Sequence, residues 1–328
     1  MMDAEHTARH FDWDVADLTD QHGRTIVVTG ASGGIGWEIT QALVGAGATV
    51  IAAVRDVEKM AARVAQAADR QGYTAADRQG YRVLDGLDAA ADRIVVRRVD
   101  VSDRRSIDRF IEALAADGVV LDALVNNAGA SVPRFELSVD GIELTYATNL
   151  VGAARLAEGL LALLVGPAPR IVLVGTNLSQ RLRAVPDLER SGDPAAFSQF
   201  RAYVRSKIAA AAFAVDLGER LAASGSPVRS VIAHPGVAAT GMSAQADRAL
   251  TRAIASVTTR LGRTAADAAR SVIWSATAAE IEQGVFVGPA LRRSDRRLHV
   301  VPVRGAVADP AFRARVREFL ATDLAARP

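Results

Sequence analysis

The chain has 328 residues, of which 50% are hydrophobic and 23% charged, and its formal net charge is +2 at pH 7. This length and apolar content allow one large domain with a buried core, while the near-neutral charge excludes a protein held on nucleic acid by bulk electrostatics. The absence of cysteine excludes disulfides, thiol nucleophiles and thiolate-bound metals, and no metal site is predicted. The acidic N-terminus lacks an apolar signal peptide, and the longest apolar run, residues 156–165, is too short to span a bilayer, so we expect a cytoplasmic protein.

From Arg24 onward, short β-branched runs alternate with longer alanine-rich segments. The predicted strands are residues 25–28, 49–54, 94–99, 123–126, 170–174, 229–233 and 285–287. The predicted helices are residues 36–44, 106–116, 142–165, 197–223 and 265–279. Near-continuous apolar strands separated by helices are typical of a parallel sheet covered on both faces. We therefore predict a single α/β domain with a doubly wound parallel sheet, whose ligand binds beyond the carboxyl ends of the strands.

This domain is predicted to occupy residues 24–289, after an N-terminal lead-in of residues 1–23. It includes a lengthened excursion over residues 57–92, where the heptapeptide AADRQGY occurs twice, and a polar flap over residues 240–263. Residues 290–328 form a predicted arginine-rich extension, and its arginines favour a solvated face over a site for an anionic partner. Asp309 followed by Pro310 predicts the start of a helix there.

A glycine-rich loop lies between the first predicted strand and the first predicted helix, and it reads Thr29-Gly30-Ala31-Ser32-Gly33-Gly34-Ile35-Gly36. Gly30 suits a tight turn, while Gly34 and Gly36 leave room for a pyrophosphate and for the neighbouring strand. The helix N-terminus offers free N–H groups and a positive dipole end to phosphates. We therefore predict a dinucleotide-binding loop that includes Gly30, Ser32, Gly34, Ile35 and Gly36.

The end of the second predicted strand bears on the choice of cofactor. The segment Ala52-Ala53-Val54-Arg55 has no acidic residue at the strand tip, where a carboxylate would bind the ribose hydroxyls of NAD(H). The Arg55 guanidinium can form paired hydrogen bonds with a 2′-phosphate, which favours NADP(H). NAD(H) stays open as the alternative, because Asp56 is adjacent and an arginine in this chain can also simply cap a loop.

One of the two lysines lies one helical turn from a tyrosine. Of the 39 Lys and Arg residues only Lys59 and Lys207 are lysine, and Tyr203 precedes Lys207 by four positions in a predicted helix, on the same face. Proton transfer at neutral pH requires that the phenol pKa be lowered from about 10, and a neighbouring ammonium lowers it. The pattern predicts a proton-transfer pair; an aromatic–cation contact on the helix surface is the alternative.

Together these motifs resemble the short-chain dehydrogenase/reductase family over roughly residues 23–289. In the family's order they are the glycine loop, Asp100-Val101, Asn126-Asn127-Ala128-Gly129, Asn149, Tyr203 with Lys207, and His234-Pro235-Gly236 with Thr240. The lead-in around Trp13, the pair Arg55-Asp56 and the segment Val287-Gly288-Pro289 are similar to retinol-dehydrogenase-like bacterial members. The resemblance implies a Rossmann-type fold.

The resemblance also implies roles for the matched residues. Lys207 would bind the nicotinamide ribose and lower the pKa of Tyr203, and Asn149 would position a water that links Lys207 to solvent. The further cofactor-binding positions are Asp100 and Val101 at the adenine, Asn127, Ala128 and Gly129 on the ribose side, and Pro235, Gly236, Val237 and Thr240 at the nicotinamide and pyrophosphate.

One position departs from the family pattern. Members usually carry a serine shortly after the fifth strand that hydrogen-bonds the substrate oxygen, whereas this chain has Gly175 and Thr176 there. Thr176 keeps a hydroxyl, but its methyl group stiffens the side chain and narrows the pocket. Ser179 is the alternative if the loop is shifted. The predicted catalytic residues are therefore Asn149, Thr176, Tyr203 and Lys207.

These observations predict an NADP(H)-dependent oxidoreductase that interconverts a carbonyl and an alcohol in a small-molecule substrate. Segments 177–200 and 240–263 are predicted to form the substrate walls, and their apolar residues favour an apolar substrate. The alternative is a cofactor-binding regulatory or scaffold protein without turnover. No nucleic-acid partner and no membrane span are predicted. The oligomeric state stays open: family members often pair through their long helices, which allows a homodimer or homotetramer, and the alternative is that the arginine-rich extension blocks or remodels that surface.

Overall fold

The computed structural model describes residues 8–70, 81–83, 93–182, 186–236, 263–290 and 295–325. The strands are β1 (Arg9–Asp12), β2 (Thr25–Thr29), β3 (Thr49–Val54), β4 (Tyr81–Val83), β5 (Ile94–Arg98), β6 (Ala123–Asn126), β7 (Arg170–Val174), β8 (Arg229–Ala233), β9 (Val285–Pro289) and β10 (Arg297–Pro302). The α-helices are α1 (Gly34–Gly45), α2 (Val57–Arg70), α3 (Arg104–Ala116), α4 (Leu144–Tyr146), α5 (Gly152–Gly159), α6 (Leu178–Arg181), α7 (Gln199–Ala223), α8 (Ala265–Thr277) and α9 (Pro310–Ala325).

The strands of the described residues form one sheet in the order β1-β10-β9-β8-β7-β6-β2-β3-β5-β4. The strands from β9 to β4 are parallel, and β10 and β1 are added antiparallel at one edge. The chain proceeds outward from β2 on one side and then returns to β6 on the other. This reversal creates a crevice at the carboxyl ends of β2 and β6, where ligands of doubly wound sheets bind.

Helices cover the sheet on both faces because successive strand side chains point to opposite sides. In β2, Val27 belongs to a core cluster that also contains residues of α3, α5, α7 and α9. Ile26 and Val28 belong to a second cluster with residues of α1, α2 and α8. The predicted single domain with a doubly wound, mostly parallel sheet is therefore confirmed.

All seven predicted strands are present, as β2, β3 and β5 to β9, but β1, β4 and β10 were not predicted from the sequence. The two antiparallel edge strands lack the continuous apolar runs that reveal buried parallel strands. Most of β1 is exposed, and β10 alternates between buried and exposed residues near its start.

The continuous helix predicted over residues 142–165 is wrong. The segment consists of α4, a π-helical turn (Ala147–Val151), α5 and a 3-10 turn (Leu161–Leu163). A change of helix type leaves the apolar content of a segment unaltered, so composition did not reveal it. The excursion after β3 begins with the amphipathic helix α2, which buries Met60 and Val64. Most of the second heptapeptide copy and residues 240–262 of the predicted flap lie outside the described residues.

The segments on either side of the predicted domain join the same fold. Strand β10 pairs with β9, and β1 from the lead-in pairs with β10. Helix α9 starts at the predicted position, where Asp309 Oδ1 accepts a hydrogen bond of 2.9 Å from Ala311 N. The side chains of Arg296 and Arg297 are 62% and 53% exposed, as the prediction of a solvated face requires. Among the described helices, none is both long and apolar enough to cross a membrane.

Candidate active site

The glycine loop forms a narrow cradle at the start of α1. Gly30 and Gly34 have positive φ angles of +65° and +51°, which favour glycine at both positions. A Cβ atom on Gly36 would lie only 2.3 Å from the carbonyl oxygen of Gly30, so the loop and the helix touch backbone to backbone. Gly33 precedes the helix and has no side chain to cap it, while Ile35 packs against the neighbouring core. The free N–H groups and the absent side chains fit a dinucleotide pyrophosphate.

Thr29 fastens this loop to the end of β6. Its hydroxyl oxygen accepts hydrogen bonds of 2.9 Å from both Asn127 N and Ala128 N, and it donates to Val125 O at 3.3 Å. Asn127 Nδ2 in turn donates to Thr29 O at 2.8 Å. Sequence analysis did not assign a role to Thr29. The feature that could have revealed it is a hydroxyl residue at the last position of an apolar strand that leads into the glycine loop.

Arg55 lies at the same edge of the sheet as the glycine loop. Thr29 and Ala53 are paired residues of β2 and β3, and Gly30 N donates to Ala53 O at 2.9 Å, so Arg55 follows this contact by two residues. Arg55 is exposed. The predicted residue therefore stands beside the cradle, with its guanidinium accessible to a ligand.

Two further arginines lie around this corner, and neither was predicted from the sequence. Arg63 Nη1 donates to Ser32 O at 3.2 Å, and its guanidinium lies 5.0 Å from the ring centroid of Trp37. Arg98 Nη1 donates to Arg55 O at 3.4 Å. The three guanidinium groups give this corner positive charge. Two carboxylates offset it in part: Glu58, at 3.6 Å from Arg98, and Asp56, which follows Arg55 and accepts a hydrogen bond from Lys59 N.

Asp100 and Val101 follow β5 and are held in place by their neighbours. One carboxylate oxygen of Asp100 accepts hydrogen bonds from Ser102 N at 2.9 Å and from Ser102 Oγ at 2.6 Å. Val101 O presses against Gly152, where a Cβ atom would lie 1.8 Å away. Helix α5 therefore needs glycine at its first residue, Gly152. Contact of Asp100 and Val101 with adenine stays a prediction.

Asn149 lies in the π-helical turn, a feature frequent at functional sites. Its Oδ1 accepts a hydrogen bond of 2.8 Å from Ala130 N, and its Nδ2 donates to Ala130 O at 2.9 Å and to Ser206 Oγ at 3.0 Å. The side chain is buried and joins the loop after β6 to helix α7. All three of these hydrogen bonds join Asn149 to residues outside its own helical turn, and the predicted water relay stays a prediction.

Lys207 meets Asn149 beside Gly129. A Cβ atom on Gly129 would lie 3.3 Å from Lys207 Nζ and 3.2 Å from Asn149 Oδ1. Lys207 Nζ donates to Val174 O at 2.8 Å, at the end of β7. Lys207 is only 4% exposed, and this burial lowers its pKa to about 8. Three segments predicted separately from the sequence thus converge on one ammonium group.

Tyr203 lies one turn before Lys207 on α7, as the spacing predicts, and it is half-buried. Ser206 Oγ donates to Tyr203 O at 2.9 Å and accepts from Asn149, so the backbone at Tyr203 is tied to the same network. The predicted direction of the pKa shift is wrong for the chain by itself, because burial raises the pKa of the Tyr203 phenol. The ammonium of Lys207 is directed to Val174 O.

Thr176 is the hydroxyl residue at the end of β7. Ser179, the alternative, is fully buried, and its Oγ donates to Thr176 O at 2.6 Å. A Cβ atom on Gly175 would lie 2.7 Å from Ile232 Cγ2, so a serine at residue 175 is sterically hindered. Binding of a substrate oxygen by Thr176 stays a prediction.

The His234-Pro235-Gly236 segment follows β8 at the next strand end. Gly236 has a φ of +80°, and a Cβ atom on it would lie 3.0 Å from Pro289 Cγ. His234 is buried, its ring stacks on Phe286 with centroids 6.0 Å apart, and burial lowers its pKa to about 4, so the ring is neutral at pH 7. Pro235 and Gly236 therefore lie at the carboxyl ends of the parallel strands, where the ligand is predicted to bind. Val237 and Thr240 lie outside the described residues.

Three comparisons with known proteins agree with this geometry. A family model for short chain dehydrogenase matches residues 24–79 and 73–185. Retinol dehydrogenase 14 of Mus musculus is 30% identical over 225 residues, which are 67% of this chain and 63% of that protein. The crystal structure of an uncharacterised protein from Mycobacterium paratuberculosis covers 96% of this chain and 97% of its own, with 29% identity and a TM-score of 0.69. The chain belongs to the short-chain dehydrogenase/reductase family.

Within this short-chain dehydrogenase/reductase family, the sequence relatives place the chain in the retinol-dehydrogenase-like branch. A crystal structure from Beutenbergia cavernae, described as an NAD(P)-dependent gluconate 5-dehydrogenase with bound NADP at low occupancy, is 25% identical. It covers 82% of this chain and 96% of its own, with a TM-score of 0.56. The matched part of this chain spans less than two thirds of retinol dehydrogenase 14, at 63%.

Replacing Gly36 by alanine is expected to weaken dinucleotide binding by this family member about tenfold or more, because the new Cβ would force the loop away from α1. A fluorescence titration with NADPH measures the dissociation constant. Gly45→Ala is the matched control, since Gly45 lies in the same helix and a Cβ there meets nothing within 4 Å. Equal dissociation constants for the two variants would contradict the role of the cradle.

Proposed function

We propose that this chain is an NADP(H)-dependent oxidoreductase that interconverts a carbonyl and an alcohol. The observation that carries the proposal is the convergence of Asn149 and Lys207 beside Gly129, next to the strand end that leads to Thr176. Family membership and the cradle at Gly36 support a dinucleotide cofactor. The buried ammonium needs an anionic or hydroxyl-bearing ligand nearby, and a cofactor ribose supplies such hydroxyls.

Each polar residue of the site has a distinct part in this proposal. Tyr203 donates a proton to the carbonyl oxygen, and Thr176 orients that oxygen through its hydroxyl. Lys207 binds the nicotinamide ribose, and Asn149 holds the loop after β6 against α7 so that Lys207 stays in place. When bound, NADPH supplies the hydride for the carbonyl carbon. Burial raises the pKa of the Tyr203 phenol in the chain by itself, so proton donation to the carbonyl relies on the Lys207 ammonium to stabilise the phenolate that forms.

The NADP(H) preference is proposed from charge. Arg55 and Arg63 frame the glycine loop, and Arg98 bonds to the backbone of Arg55. A 2′-phosphate gains from such guanidinium groups, whereas the ribose hydroxyls of NAD(H) gain from a carboxylate. The Beutenbergia cavernae structure with bound NADP supports the same choice.

Replacing Arg55 by alanine is expected to weaken NADPH binding about tenfold while changing NADH binding less than twofold, because only NADPH carries the 2′-phosphate. Titrations of both dinucleotides against wild type and variant measure the four dissociation constants. Arg229→Ala is the control, because Arg229 is exposed at the amino end of β8, at the opposite edge of the sheet. Equal losses for NADPH and NADH would refute the assignment of Arg55.

The activity itself is tested by following NADPH oxidation by the wild-type chain with a panel of ketones, aldehydes and quinones. Turnover of an apolar carbonyl compound is the expected result. Binding of NADPH without turnover across the panel would overturn the proposal and favour a regulatory or scaffold protein. The cytoplasmic location, the apolar substrate and the pairing of two or four copies stay predictions from the sequence.

A further inference from the structure

The C-terminal part of the chain contacts the short helix that follows Thr176. Gly305 has a φ of +70°, and a Cβ atom on it would lie 2.7 Å from Leu182 O and 3.0 Å from Ser179 O. Ala306 N donates to Leu182 O at 3.0 Å. The last carbonyls of a helix lack partners within that helix. Gly305 and Ala306 therefore cap the carboxyl end of α6.

Helix α6 is fastened to Thr176 at its other end. Ser179 N and Ser179 Oγ both donate to Thr176 O, at 3.1 Å and 2.6 Å. Leu178 N lies 3.4 Å from Thr176 Oγ1. Helix α6 has only four residues, so a short stretch of chain separates its capped carboxyl end from the end that is bonded to Thr176.

The same C-terminal part is anchored to α7, which carries Tyr203 and Lys207. Phe312, Val316 and Leu320 follow one another at intervals of four on α9 and are buried in the core cluster of α7. Two ion pairs join the helices, Arg313 with Glu219 at 2.9 Å and Arg317 with Asp216 at 2.6 Å. Arg313 Nη1 also donates to Val307 O at 3.2 Å and Ala308 O at 2.9 Å, just after Gly305.

We propose that the cap at Gly305 and Ala306 is a positioning element that sets the separation of Thr176 from Tyr203, by linking α6 to α7 through α9. This proposal rests on the proposed function, since it assigns Thr176 and Tyr203 to one reacting carbonyl. Neither Gly305 nor Ala306 is proposed to touch the substrate. They act through the backbone of α6, and small misplacements of a reacting group lower rates strongly.

The test compares Gly305→Ala with Gly225→Ala. Both positions have nearly equal positive φ angles, +70° and +72°, so both variants carry the same backbone strain, but a Cβ on Gly225 meets nothing within 4 Å. We expect Gly305→Ala to lower kcat for a carbonyl substrate about tenfold and to leave the KM for NADPH within about twofold. Gly225→Ala is expected to change neither value beyond about twofold.

A double-variant cycle with Thr176→Ala separates positioning from general loss of structure. If the cap acts through Thr176, Gly305→Ala is expected to lower kcat less than about twofold once Thr176 is alanine. Where Gly305→Ala does not fold, Arg313→Met takes its place in the cycle, because methionine has no donor for the two hydrogen bonds to the segment after Gly305.

The outcomes distinguish this inference from the proposed function. A wild-type chain that binds NADPH but turns over no carbonyl compound overturns both. Wild-type turnover with equal kcat values for the two glycine variants overturns the positioning role alone. A tenfold loss that persists unchanged in the Thr176→Ala background overturns it as well, because the cap would then act elsewhere.

Discussion

Replacing Tyr203 by phenylalanine is expected to lower kcat by about a thousandfold while leaving the dissociation constant for NADPH within about twofold. The substitution removes a single oxygen from a half-buried ring on α7, next to the turn that holds Lys207. The carbonyl oxygen then lacks its proton donor, whereas the glycine cradle is unaltered. Single-turnover measurements with NADPH separate the chemical step from cofactor binding.

Tyr146 provides the matched control for this substitution. It is buried at 1% exposure, and its hydroxyl has no hydrogen-bond partner among the described residues. Tyr146→Phe is expected to keep full turnover and to raise the free energy of unfolding by roughly 1 kcal/mol, because an unpartnered polar group leaves the core. Full turnover by Tyr203→Phe, or equal losses in both variants, would refute the role given to Tyr203.

Local spacing was enough to predict the parts of the site that lie on single segments. The glycine loop, the Tyr203–Lys207 pair and the start of α9 depend on neighbouring residues, and the structure places the loop and the pair at one edge of the sheet. Local spacing did not predict the contacts between segments that are far apart in the chain. The bonds from Thr29 to the loop after β6 and from Arg63 to Ser32 join residues far apart in the chain.

Two predictions were wrong for separate physical reasons: one concerns backbone geometry and the other concerns burial. The π-helical turn around Asn149 shifts the hydrogen-bond register without changing the apolar pattern, so periodicity predicted one continuous helix. The pKa of Tyr203 was predicted from the charge of Lys207 alone. In the structure desolvation dominates, and its magnitude depends on how deeply the fold buries each group.

The cost of burying Lys207 leads to a second large effect. Replacing it by methionine is expected to lower kcat by at least a hundredfold, because the ribose loses its ammonium partner. The same substitution changes how stability depends on pH. Burial lowers the pKa of Lys207 from 10.5 to about 8. Between these values the unfolded chain binds a proton that the folded chain has released, so the free energy of unfolding of the wild type rises with pH relative to the variant.

The difference in free energy of unfolding between wild type and Lys207→Met is therefore expected to shift by about 2 kcal/mol in favour of the wild type between pH 7 and pH 10. Urea unfolding of the cofactor-free proteins at several pH values measures it. Lys59→Met, which removes an exposed lysine of α2, is the control for the loss of a lysine elsewhere in the chain. Parallel curves for Lys207→Met would mean that Lys207 is not desolvated. A shift confined to Lys207 would show that the fold gives up stability at neutral pH to keep a charged ammonium at Val174 O, near Gly129, as the proposed role in binding the cofactor ribose requires.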